Sequence, residues 1–83
     1  MRLVRLIPHE KYKIQIFQFN GEYILKIELG QFEQSFKVKE TEVDGAKGVQ
    51  DLLSNDFLIS CLHRFIEMRN DWAEAFKMKN YAK

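Results

Sequence analysis

YKIQIFQFNGEYILKIELGQFEQSFKVK, residues 12–39, decides the fold. Asn20-Gly21 in its middle predicts a two-residue hairpin loop, because a type I′ turn needs positive φ at both central positions. With the loop there, Gln18 faces Tyr23, Ile16 faces Leu25, Ile14 faces Ile27 and Tyr12 faces Leu29. On the reverse face Lys13 meets Glu28, a complementary pair, and Phe17 meets Ile24. Gly30-Gln31 fits a second tight loop, of type II′, with glycine at its first central position. That loop sets Leu29 opposite Phe32, Leu25 opposite Phe36, Tyr23 opposite Val38 and Glu22 opposite Lys39. Two independent turn signals thus produce one continuous apolar face, which a slip of one residue at either would scramble. Three antiparallel strands follow.

Toward the N-terminus, Arg2–Ile7 predicts a fourth strand joined through Pro8-His9-Glu10-Lys11, with Leu3 and Ile7 pointing inward and Arg5 between them. Pro8, which has no N–H for a ladder bond, suits a strand end. Toward the C-terminus, Glu40–Gly45 is polar. Ala46–Leu53 predicts a short helix whose apolar side is Val49, Leu52 and Leu53, in spite of Gly48. Ser54, Asn55 or Asp56 then offers an N-cap for a second, long helix. The expected fold is one α+β two-layer domain over residues 1–83. An antiparallel meander of three or four strands lies within 2–39, and a short then a long helix within 46–80 packs on one sheet face.

The long helix has an unusually broad apolar side. At about 100° per residue, Leu58, Leu62, Phe65, Trp72 and Phe76 form the middle of one stripe. Cys61, Met68 and Ala75 flank it on one side, and Ile59, Ile66 and Ala73 on the other. A surface helix needs an arc a little over about 100° wide; this one covers twice that, so two partners are expected. From Asp56 to Lys77 it would run about 33 Å, against about 25 Å for strands of seven or eight residues, so one end projects past the sheet. Trp72 and Phe76, with Tyr81 beyond, lie toward that end and Met68 and Arg69 just before them; Met68, Arg69, Trp72 and Phe76 are the candidate self-association residues.

Four polar residues fall where the pattern wants apolar ones: Arg5, Gln18, Gln34 and Arg69. A buried arginine is costly unless paired. Arg69 therefore either lies beyond the sheet with its stem on apolar surface, meets Gln34, a carboxylate or a ligand, or sits in a dimer interface, where arginine is enriched.

Signals for chemistry are weak. His63 and Glu67 share the polar helix face four residues apart, but a zinc site needs three or four ligands, and a solvated pair accounts for them. Cys61 lacks an adjacent base, since His63 two residues on points elsewhere, and a buried thiol accounts for it. No glycine-rich phosphate loop, nucleophile elbow or paired cysteine motif is present. The expectation is a non-enzymatic protein with no cofactor and no metal.

Composition agrees with a packed fold: 83 residues, 46% hydrophobic, with seven Phe. Net charge is +1 and neither half is polybasic or acidic, so charge selects no partner class. The single cysteine excludes an intrachain disulfide and fits a reducing compartment. The start Met-Arg-Leu-Val-Arg-Leu-Ile-Pro is too short an apolar run for a signal peptide, and nothing elsewhere is long enough to span a bilayer. A cytoplasmic protein off the membrane is expected.

Two functions compete. The first is a protein-interaction or homodimerisation module built on the long helix. The second is a single-stranded nucleic-acid binder using the outer sheet face, where Lys13, Lys26, Lys37 and Lys39 surround Phe17, Phe19 and Ile24. Lysines there would meet phosphates while the rings stack bases. Four strands followed by a helix resemble, in element order, the Whirly and PUR-repeat type of nucleic-acid-binding domain, which also dimerise. The resemblance covers most of the chain but carries no motif, so it assigns no residue roles. Glu22, Glu28 and Glu33 on the same face oppose that reading.

Overall fold

A computed structural model describes residues 1–81, with side chains as far as Lys79. Four strands, β1 (Arg2–Ile7), β2 (Lys13–Phe19), β3 (Glu22–Leu29) and β4 (Phe32–Lys39), form one antiparallel sheet in the order β1-β2-β3-β4. A 3-10 turn (Glu40–Glu42) leads to the helices α1 (Gly45–Gln50) and α2 (Asn55–Tyr81). The result is an α+β fold with α1 and α2 on one sheet face.

The register of β2, β3 and β4 is the one the turn signals predict, from Gln18↔Tyr23 to Lys13↔Glu28 and from Glu22↔Lys39 to Leu29↔Phe32. Asn20 and Gly21 have φ of 51° and 76°, and Gly30 has φ of 62°, the left-handed values those loops require. Tyr12, Ile14, Ile16, Leu25 and Ile27 consequently share one buried face, on which Val49 of α1 and Cys61 and Phe65 of α2 close the core.

Strand β1 departs from expectation. Its pairing runs Leu3↔Phe17 and then Arg5↔Ile16, leaving Val4 in a bulge. The extra residue flips the side of everything before it. Leu3, expected inside, pairs with Phe17 of the outer face, while Val4 and Ile7 pack against the core. Arg5 remains on the inner side at the sheet edge, where its guanidinium donates to Gln50 Oε1 of α1 at 2.7 Å.

A further polar exception, Gln18, finds its partners across the sheet edge. Gln18 accepts from Arg2 at 2.6 Å and donates to Glu40, tying the start of β1 to the 3-10 turn that follows β4. Helix α1 ends at Gln50, short of the expected Leu53, and the chain turns with Leu52 N–H on Val49 O and Leu53 N–H on Gln50 O. That turn leaves Leu52 54% exposed, so it is not part of the apolar side. Gly48 permits the close approach, since a Cβ there would stand 3.3 Å from Val43 Cβ.

Among the described residues, no helix is long and apolar enough to cross a membrane.

Candidate functional site

Helix α2 starts where Ser54 caps it: its Oγ accepts the Phe57 N–H at 3.1 Å, satisfying one of the free donors of the first turn. Of the three candidate caps in the sequence, Ser54 is the one used. The first half of the helix is then clamped to the sheet at four points. Phe57 meets Phe36 edge-on at 5.2 Å between centroids, and Phe65 stacks on Tyr12 at 5.9 Å. Tyr12 Oη donates to the Leu58 carbonyl at 3.3 Å, and Gln34 Nε2 donates to the Cys61 carbonyl at 2.8 Å. Gln34 is thus held by α2, and not by Arg69.

The sheet runs out at Met68, the last residue of α2 that packs against the core. From Arg69 to Lys79 every side chain is exposed, a projecting length of about 16 Å at 1.5 Å per residue. Trp72 and Phe76 lie in this segment, 49% and 52% exposed, with their rings edge-to-face at 5.2 Å. Among the described residues no other aromatic ring stacks on either. Tyr81 lies outside the described side chains.

Below the projection, α2 and the β3–β4 turn enclose an open hollow of about 410 Å³. Leu29, Gly30, Gln31 and Phe32 form one wall, and Leu62, Phe65, Ile66 and Arg69 the other. Arg69 lies past the sheet, along this apolar wall, with no carboxylate in ion-pair range among the described residues. The hollow continues past Phe32 to Trp72. On its other side the exposed flank of α2 runs back through Ile66 and Ile59 toward His9.

The outer sheet face offers less than its sequence promised. Lys26 Nζ stands 5.2 Å from the centroid of the Phe17 ring, a cation–π pair that occupies the ring's face. Ile24, expected in an accessible patch, is only 8% exposed, flanked by its register partners Phe17 and Lys37 and by Lys26 two residues along β3. Phe19 remains half-exposed at one end of this face, with exposed Lys37 and Lys39 on its side of the sheet and exposed Lys13 at the far end of β2. The β1 bulge adds exposed Leu3 to this face, where exposed Leu6 also lies. Reading the sequence alone missed Leu3, because a bulge leaves no mark in an alternating pattern.

Cys61 is fully buried. Burial pushes its thiol above the ordinary value, and the Arg64 guanidinium, 3.9 Å from Sγ, opposes the shift. A thiol held neutral this way is a poor nucleophile. His63 and Glu67 are exposed, and among the described residues no group of three or more His, Cys, Asp or Glu converges. His9 sits in the β1–β2 loop, its Nδ1 accepting from the N–H groups of Lys11 and Tyr12.

Compared with protein-family models, with curated proteins and with solved structures, the chain matches none.

Proposed function

We propose that this chain is a small, non-enzymatic cytoplasmic interaction module that self-associates through the projecting half of α2. The observation that carries the reading is the exposed Trp72–Phe76 pair on a helix that has left its own sheet behind. Monomers seldom keep two large aromatics on one turn in water. A second copy related by a two-fold axis is the commonest cover, and tryptophan and arginine are the residues that most often anchor such contacts. Met68, Arg69, Trp72 and Phe76 are the proposed contact set. A buried, unpaired cysteine accords with the cytoplasmic setting.

Single-stranded nucleic acid is the weaker alternative. With Lys26 over Phe17 and Ile24 covered, the outer face keeps Phe19 as its one half-exposed ring, where base-stacking domains use two or three.

Mass measured by light scattering or sedimentation equilibrium, from micromolar to hundreds of micromolar, tests the reading. The wild type is expected to form dimers in that range, and Trp72→Asp to remain folded and monomeric. A wild type that stays monomeric throughout would refute it.

A further inference from the structure

Helix α2 carries a second, largely apolar stripe, of which only Leu62 also packs against the core. Ile59, Leu62, Ile66, Arg69, Ala73 and Phe76 follow one another at alternating spacings of three and four, the a/d repeat of a coiled-coil seam. The sheet-facing residues Leu58, Cys61, Phe65 and Met68 lie on the adjoining flank. Two contiguous stripes explain why the apolar arc is twice as broad as one contact needs. The sheet stripe stops at Met68, whereas the seam continues to Phe76. Ile59, Ile66 and Phe76 on it are each about half-exposed, and the hollow beside the β3–β4 turn opens onto it between Leu62 and Arg69.

We propose that this hollow is the docking site for the partner's Phe76, the two α2 helices packing antiparallel about a two-fold axis near residue 71. The proposal rests on the self-association described above and adds its site and register. With the axis there, Phe76 of each copy falls opposite Ile66 of the other, at the mouth of the hollow. Arg69 falls opposite the partner's Ala73, where the small side chain leaves room for a guanidinium to lie toward the partner's Trp72 as a cation–π pair.

Three features point to a second copy of this chain as the occupant. An isologous interface needs knob and socket on the same molecule, and here Phe76 and the hollow at Ile66 are about 15 Å apart along one helix at 1.5 Å per residue. Charge selects the direction. Parallel, in-register helices would bring Arg69 against the partner's Arg69 in one layer, a like-charge pair, whereas the antiparallel register sets each arginine against an alanine. Glu67, Asp71 and Glu74 lie away from the seam, so no carboxylates are brought together. Size sets the strength. The axis lies past Met68, so each sheet stays at its own end, and the overlap of residues 63–79 is about 26 Å of helix. With the turn at Leu29–Phe32 added, that is a contact at the small end of specific interfaces, which accords with a reversible dimer.

The test uses full-length chains carrying Arg69→Cys or Ala73→Cys, mixed under mild oxidation and mapped by mass spectrometry. Both positions are exposed, and circular dichroism checks that each variant folds; Cys61 is buried and stays reduced. Antiparallel pairing is expected to give chiefly the mixed 69–73 disulfide. Phe76→Ala is expected to weaken dimerisation at least tenfold by sedimentation equilibrium, and Arg69→Leu to weaken it less, through loss of the cation–π pair with the partner's Trp72. Dimers that yield only 69–69 and 73–73 disulfides, or that are indifferent to Phe76→Ala, overturn the docking site and register while leaving self-association intact. A wild type that never dimerises overturns both.

Discussion

Replacing Gln34 by methionine is expected to stabilise the protein. Gln34 is 9% exposed on the inner face of β4, opposite Ile27. Its Nε2 donates to the Cys61 carbonyl at 2.8 Å, while Oε1 has no hydrogen-bond partner among the described residues. A bond of this kind contributes about 0.5–1.5 kcal/mol net, and a buried acceptor left unsatisfied costs about 1–3 kcal/mol. Methionine removes both terms at similar length and volume, and its flexible thioether adapts to the site without overpacking. The Cys61 carbonyl loses little, because within α2 it also faces the amide four residues on, that of Phe65. The balance is a gain of about 1 kcal/mol, or a rise in Tm of about 4–8 °C for a domain of this size. Thermal and urea unfolding followed by circular dichroism would measure it, at one protein concentration, since association makes the midpoint concentration-dependent. A fall in Tm of several degrees would refute the reasoning, because it would mean that Oε1 is satisfied and that the amide holds α2 to the sheet more strongly than one bond should.

Ser54→Ala removes the cap of α2 and is expected to cost about 1 kcal/mol, read as a drop in urea midpoint with unchanged slope. Stability should decline at alkaline pH. Burial raises the Cys61 thiol, with Arg64 opposing, and raises the Tyr12 phenol, with Cys61 adding to it. Both groups therefore ionise first in the unfolded chain, near their ordinary values of 9.0 and 10.0, so the unfolded state gains as pH rises through that range. Denaturation midpoints between pH 7 and 11 check the sign, and Cys61→Ala should flatten the first part of the fall. Mixed single-stranded DNA is expected not to bind at low salt and hundreds of micromolar protein. Binding that Phe17→Ala or Phe19→Ala weakens by about 1–3 kcal/mol, with a smaller salt slope for Lys26→Ala, would reinstate the outer face as the functional one.

The meander was legible to the residue because its information is local. Asn20-Gly21 and Gly30-Gln31 each demand a particular backbone, and the alternating residues around them agree on one face. Strand β1 has no such anchor. Its bulge at Val4 is decided by how well Val4 and Ile7 fill the core, a tertiary preference that six residues of pattern do not encode. Leu52 failed for a similar reason, since the end of α1 is set by the turn that leads into the Ser54 cap. In the long helix, the apolar arc was legible as broader than one sheet face covers, and Trp72 and Phe76 as the residues past the sheet. What the pattern did not disclose was the hollow. Half of it comes from the loop at Leu29–Phe32, and no helical projection contains a loop from 30 residues earlier in the chain.

The projecting segment also governs how one copy of this protein moves in water. A compact chain of this length would have a radius of gyration of about 12 Å, yet the value here is 15.5 Å, in a body of 51 × 27 × 19 Å. A radius of 15.5 Å is what a compact protein of about 170 residues would have, twice this chain. Elution volume and scattering radius will therefore report something the size of a dimer even when each particle is a single copy, and only mass tells the two apart. Tumbling carries a second mark of the same geometry. Amide vectors of α2 point along its axis, so NMR relaxation rates should differ systematically between this helix and strands that cross it. If a second helix packs beside the first, that difference should change with protein concentration.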